Sequence, residues 1–347
     1  YSSPMEVFVN GNKITNIEIN QDNLEKFKQR LGDDRFEGID NDGQTKFFHE
    51  LTGGQLFQTD LISENDLRRY DLNIVKHWQQ ITEHRNKAEG HILKLKYFQY
   101  LSLLFTEIYL DFYFNSPNEL LNQLNEQLVL LKENDNAFPD FDLYELSDLN
   151  KLAFWNATGS GKTLLMHVNI LQYQHYQKNK DLTVFVITPN EGLSQQHLAE
   201  FTASNLPASL FDKNRPFQGT GLFNDIQIMD INKLSDKDGE LTVAVDRFLD
   251  LNKLVLVDEG HRGSSGDQWF ARRQKLIGDG FAFEYSATFG QAVKDGKTVK
   301  DCLFDIQKKI GKANGISKKT PPRDIRPIIP VSMHRGAFIF LICPAPA

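Results

Sequence analysis

A short apolar run, Leu152-Ala153-Phe154-Trp155, stops at Asn156-Ala157-Thr158-Gly159-Ser160-Gly161-Lys162-Thr163, and a helical apolar spacing (Leu164, Leu165, Val168, Ile170, Leu171) begins directly after it. This order, strand then glycine turn then helix, constrains the chain more than any other stretch. Glycines at 159 and 161 allow backbone conformations closed to other residues, so successive N–H groups can wrap an anion. The following helix adds the positive end of its dipole. Lys162 is then placed to reach the outer phosphates of a nucleotide, and the Thr163 hydroxyl to ligate magnesium. The general phosphate-loop signature has a glycine at both ends, and Asn156 stands here where the first would be. The flanking strand and helix patterns carry the assignment, because a glycine-rich turn with an incidental lysine needs neither.

Downstream, apolar runs and helical spacings alternate. Leu182 to Ile187, Asp225 to Ile231, Lys253 to Val257 and Phe281 to Tyr285 read as strands, and Gly192 to Phe201 as a helix. Nearly continuous apolar strands are those buried on both faces. Such alternation predicts an α/β fold, a parallel sheet with right-handed crossovers and helices on both faces. Its ligand lies at the carboxyl ends of the strands, where the polar tripeptides Thr188-Pro189-Asn190 and Ser286-Ala287-Thr288 fall. Upstream, Val7 to Val9 and Ile14 to Ile19 alternate around Asn10-Gly11-Asn12 as a hairpin would. From Leu67 to Leu131 the spacing is helical, broken at Asn115-Ser116-Pro117-Asn118 with Pro117 opening the next helix. The polar segment from Glu133 to Asp148 reads as a boundary. The expected organisation is a mixed, mainly helical N-terminal region over 1–140, a nucleotide-binding domain over 141–325, and a tail over 326–347 that is either the cut-off start of a further domain or a non-native end.

At 347 residues the chain has room for about two domains. A net charge of −7 argues against non-specific coating of nucleic acid or anionic membrane, while leaving room for a local basic track. Two cysteines, Cys302 and Cys343, suggest neither a disulfide framework nor a metal cage, so a reducing cytoplasm is the simplest location. Neither a signal peptide nor a membrane-crossing run is legible.

Asp258-Glu259 closes the apolar run Leu254-Val255-Leu256-Val257. In a phosphoryl-transfer site the first carboxylate holds magnesium and the second orients or deprotonates the attacking water. An isolated acidic pair would simply end a strand in solvent. Behind a phosphate loop in the same sheet, the metal site is the better reading. His261, two residues on, stands where it can link the carboxylates to a neighbouring strand.

Ala157 to Thr163, Asp258-Glu259-Gly260-His261 and Ser286-Ala287-Thr288 resemble motifs I, II and III of superfamily-2 helicases and translocases, in the right order. Thr188-Pro189-Asn190 is similar to motif Ia, and the segment from Ile228 to Leu234 more weakly to the next nucleic-acid-contacting segment. Within that superfamily the chain looks most like the motors of type III (Res) and type I restriction enzymes, over about Lys94 to Thr288. The resemblance implies a RecA-like first motor domain that uses ATP and magnesium and acts on duplex DNA through backbone contacts. Modification or specificity subunits are the partners implied, and no membrane. Residue by residue, it implies that Thr158, Gly159, Ser160, Gly161, Lys162 and Thr163 bind phosphate, Thr163 and Asp258 magnesium, and Glu259 the water. Ser286 and Thr288 would couple nucleotide state to the DNA track through His261, and Thr188 and Asn190 would touch a bound strand. Lys96-Tyr97-Phe98-Gln99-Tyr100, in the 93–110 helix, is similar to the family's adenine-reading segment, with Gln99 on the base edge and Phe98 or Tyr97 on the ring; an ordinary amphipathic helix fits the same spacing.

Two departures qualify the likeness. Gly260 replaces the residue common in the third place of motif II, and nothing after Thr288 resembles the second motor domain that supplies arginines; Arg323, Arg326 and Arg335 sit in no motif. Because such an arginine is worth about 10³- to 10⁵-fold in rate, the chain by itself should bind nucleotide better than it hydrolyses it. No Glu-x-Lys occurs, nor any Asp-x-Lys in the first 150 residues, so a nuclease at the front is not expected. Two other classes fit less of the pattern: a phosphate-loop ATPase switch that never touches nucleic acid, and a non-catalytic interaction module.

Overall fold

Side-chain parity organises the central sheet. In the computed structural model, β4 (Thr183–Thr188) and β9 (Lys253–Asp258) are buried almost throughout, and their odd and even residues enter two different cores. Val184, Val186, Leu254 and Leu256 face one core; Phe185, Ile187, Val255 and Val257 face the other. A strand with both faces covered has no polar alternation to show. The structure describes residues 7–9, 12–14, 34–53, 62–134, 143–155, 159–178, 181–214, 225–240, 242–258 and 267–286.

The described elements run as follows. The hairpin strands β1 (Val7–Val9) and β2 (Asn12–Ile14) pair antiparallel, with Val7 opposite Ile14, so the second strand begins two residues earlier than the alternation suggested. Helices α1 (Lys46–Gly53), α2 (Glu64–Glu89), α3 (Tyr97–Asn115) and α4 (Pro117–Asn134) follow. Pro117 opens α4, where its missing N–H would have had no helical partner. Then come β3 (Lys151–Trp155), α5 (Lys162–Tyr176), β4, α6 (Glu191–Ala203), β5 (Ala208–Leu210) and β6 (Ile226–Asp230). A small pair, β7 (Leu234–Ser235) with β8 (Val243–Ala244), precedes β9, α7 (Asp267–Ile277) and β10 (Phe281–Ser286).

Six strands form one parallel sheet in the order β3-β10-β9-β4-β6-β5. One face carries α5, Phe201 of α6, and, packed on α5, the N-terminal helices α2 and α3. The other carries Leu276 and Ile277 of α7 and the segment around Leu234, Val243 and Phe248. This is the RecA-like α/β sheet with helices on both faces that the motifs imply.

The N-terminal helices do not form a core of their own. Ile74 and Trp78 of α2, Leu103, Leu104 and Ile108 of α3, and Leu152, Phe154, Phe281 and Tyr285 of the sheet belong to one continuous apolar cluster. Tyr109 of α3 packs its ring on Phe281 and donates its hydroxyl to the carbonyl of Leu149.

Candidate functional site

The site is set by strand register. Ser286 lies opposite Trp155, and Tyr285 opposite Asp258, so β3, β10 and β9 end at one edge. Ile187 is paired with Val257, which brings Thr188 level with Asp258 one residue on. Asp258 shares parity with Leu254 and Leu256, and Thr188 with Val184 and Val186. Both therefore belong to the face that α5 and α6 cover. Two strand spacings, roughly 10 Å, separate β3 from β9, a gap on the scale of a triphosphate chain.

At the end of β3, Gly159 and Gly161 hold φ of +80° and +82°, a left-handed backbone that side-chain-bearing residues avoid. Gly161 is the N-cap of α5, so Lys162 and Thr163 are its first two residues. Backbone N–H groups of a first helical turn have no carbonyl within the helix to bond. Between the glycines, the Ser160 hydroxyl is buried without a hydrogen-bond partner, a polar group awaiting a ligand. These features fit a phosphate. For the metal, Asp258 and Thr163 supply hard oxygen donors of the kind magnesium prefers. Among the described residues no group of three or more His, Cys, Asp or Glu side chains could hold an ion. Magnesium fits that sparse set, because it keeps several waters and leans on substrate phosphates.

Gln99 meets this loop directly. Its Nε2 donates to the carbonyl of Ser160 at 3.0 Å, and its Oε1 accepts from the N–H of Lys96 at 3.1 Å, closing the start of α3. A Cβ on Gly161 would lie 2.5 Å from that Nε2. The amide thus contacts the phosphate loop, and one further hydrogen and one lone pair remain for a base edge. Phe98 is half-buried beside it, its ring edge-on to Tyr97.

Of the motif Ia residues, Thr188 is turned inward and Asn190 is exposed. Thr188 is 1% exposed, donates to the carbonyl of Asn190 and shares a 2.6 Å hydroxyl contact with Ser194. Asn190 is the N-cap of α6, its side chain accepting from the N–H of Leu193. Ser286 closes β10, and Thr158, Glu259, His261 and Thr288 lie outside the described residues, as do Arg323, Arg326, Arg335 and the 326–347 tail.

One contact leaves no trace in the sequence. His197 of α6 sets its Nε2 3.0 Å from Oδ2 of Asp258, and both groups are largely buried. A lone histidine in a helix carries no signal of a partner 61 residues away. Only the register of β4 and β9 brings the two together.

Among the described residues no helix is long and apolar enough to cross a membrane. No curated protein matches the chain. Among solved structures it is similar to the Sulfolobus solfataricus SWI2/SNF2 ATPase core in complex with dsDNA, with 13% identity and a TM-score of 0.31; the match takes in 63% of this chain and 37% of that one. The family model described as type III restriction enzyme, res subunit, matches residues 115–291, just over half of the sequence and the whole stretch from α4 through the end of β10. The chain belongs to the family of type III restriction enzyme res subunits, and its sheet is that of a superfamily-2 helicase-like ATPase motor.

Proposed function

We propose that this chain is the ATP-binding part of a motor that couples ATP hydrolysis to movement along duplex DNA, in a restriction-modification or other anti-phage defence system. One observation carries the reading: β3, β10 and β9 end in register, so the phosphate loop and Asp258 share one edge and one face of the sheet. In this reading the loop amides, Lys162 and the Ser160 hydroxyl grip the phosphates. Thr163 and Asp258 hold magnesium, which when bound offsets the charge of the β- and γ-phosphates. Glu259 orients the water, and Phe98 and Gln99 receive the base. Ser286, Thr288 and His261 pass the state of the nucleotide to the DNA side. In this reading the arginines that neutralise the transition state belong to a second motor domain. Modification or specificity subunits would direct the motor to its sites.

ATP turnover in the presence and absence of duplex DNA tests this, with the full-length subunit beside this chain and Lys162→Ala as control. Stimulation by DNA in the longer protein, abolished by Lys162→Ala, is expected. Robust turnover indifferent to DNA would overturn it and support a phosphate-loop switch acting on another protein. The inward-turned Thr188 hydroxyl favours that second reading, because it leaves Asn190 as the exposed member of motif Ia.

A further inference from the structure

Helix α6 presents an unusual buried stripe. Ser194, His197 and Phe201 follow one another at helical spacing, on one face, and all three are buried. An apolar stripe would suffice to cover the sheet, yet two of the three positions are polar. Ser194 meets Thr188, His197 meets Asp258, and the Phe201 ring stacks at 4.1 Å on that of His167, from the helix that follows the phosphate loop. The far end of α6 is anchored as well. Arg85 of α2 reaches Glu200 at 2.8 Å and the Ser204 hydroxyl at 3.4 Å, and His84 bonds the carbonyl of Ala203. The helix carrying His197 is therefore held at both ends.

The hydrogen on the His197 ring can be placed. Nδ1 is buried with no hydrogen-bond partner, while Nε2 faces a carboxylate oxygen. A hydrogen on Nδ1 would bury an orphan donor and set the lone pair of Nε2 against those of Oδ2. With the hydrogen on Nε2, the ring donates to Asp258 and fixes the plane of its carboxylate. Groups that hydrogen-bond a ligating carboxylate from behind typically change metal affinity 10- to 100-fold when removed.

We propose that His197 is a positioning residue of the nucleotide site, one that holds the Asp258 carboxylate in the orientation that takes up magnesium. This rests on reading Asp258 as the magnesium carboxylate of that site. The role needs a donor at the place of Nε2, a ring-sized filling of the space, and the rigid backing that α2 and α5 give to α6.

The test is binding of a fluorescent ATP analogue to the whole chain, with magnesium titrated and a parallel measurement in EDTA. His197→Ala is expected to raise the half-saturating magnesium concentration about tenfold or more and to leave affinity in EDTA unchanged. His197→Gln, which can put its amide N–H near the position of Nε2, should stay within about threefold of the parent, and His197→Leu, which fills the space without a donor, should behave like Ala. Parental magnesium dependence in His197→Ala would overturn the proposal. So would a His197→Gln variant as impaired as His197→Leu, which would leave only packing. Should His197→Ala fail to fold, the Gln and Leu pair decides on the same terms. If the parent binds no nucleotide, or Lys162→Ala binds as well as the parent, the nucleotide reading itself fails, whatever the His197 variants do.

Discussion

Gln99 donates from Nε2 to the carbonyl of Ser160 at 3.0 Å, tying the start of α3 to the middle of the phosphate loop across 61 residues of sequence. The bond is buried, so removing the donor leaves a carbonyl unsatisfied, at a cost of about 1–3 kcal/mol. Gln99→Ala should lower stability by that amount and weaken nucleotide binding. Gln99→Glu should do worse, because a carboxylate cannot donate to a carbonyl. Urea denaturation of both variants checks this; equal stability of Gln99→Glu and the parent would show that the contact is dispensable.

The two glycines of the loop should differ in their tolerance of alanine. Both carry left-handed φ, which costs a side-chain-bearing residue about 1–2 kcal/mol. At Gly159 an added Cβ meets nothing within 4 Å, whereas at Gly161 it falls 2.5 Å from Nε2 of Gln99. Gly161→Ala should therefore be the more damaging, and Gln99→Ala should relieve part of the damage when combined with it. A double-mutant cycle by thermal denaturation reads the coupling; strict additivity would count against the clash.

Glu107 gives the protein a pH dependence of defined sign. It lies wholly buried on α3, accepting from Asn73 Nδ2 at 2.8 and 2.9 Å and from the Tyr176 hydroxyl at 2.6 Å. Burial raises its pKa from 4.5 to about 7, although those hydrogen bonds pull it back down. The folded state therefore keeps a proton there that the unfolded chain gives up. Its contribution is complete below pH 4.5 and is lost as the pH climbs to about 7, by about 3 kcal/mol at roughly 1.4 kcal/mol per pH unit. His77, whose burial lowers its pKa to about 3, acts oppositely and loses stability as the pH falls through the ordinary histidine range. The stability difference between the parent and Glu107→Gln cancels the histidines. It should shrink in the parent's disfavour between pH 5 and pH 8; a difference independent of pH would rule the effect out.

Arg273 of α7 and Glu284 of β10 form a fully buried pair at 3.4 Å on the other face of the sheet. Burial pushes the Glu284 carboxyl up, and Arg273 and then Lys151 pull it down. Removing one partner strands the other charge, at about 3–5 kcal/mol, whereas replacing both with apolar residues is often neutral or better. Arg273→Met should thus be severely destabilising and the Arg273→Met, Glu284→Leu combination much less so, as guanidinium denaturation would show. A single variant within about 1 kcal/mol of the parent would mean that the charge is compensated elsewhere.

The central strands were legible because β4 and β9 bury both faces, which writes an uninterrupted apolar run into Val184 to Ile187 and Leu254 to Val257. The phosphate loop was legible because Gly159 and Gly161 serve a backbone need that glycine meets without strain. β5 was not, because Ala208 to Leu210 is a half-exposed edge strand with neither alternation nor bulk. The neighbours of Thr188 in sequence suggest contact with a bound nucleic-acid strand, yet its hydroxyl is turned into the start of α6. Residue order cannot express the direction of a side chain at a strand end. The His197 contact escaped for the converse reason: it exists only once two strands are aligned and a helix crosses above them.

The position of β10 between β3 and β9 has a consequence in time. Of the described strands it is the last to be synthesised, yet it pairs with both neighbours and carries Phe281 and Tyr285 into the shared core. Helices α2 to α4 leave the ribosome before any strand of the six-stranded sheet, their apolar faces made for partners not yet translated. At ~5–20 residues per second, the interval from the end of α4 to β10 is roughly 7 to 30 s. Once β9 is made and until β10 follows, β3 and β9 flank a gap one strand wide, each with an unsatisfied edge. The vulnerability of the nascent sheet to misassembly is concentrated in a single late insertion.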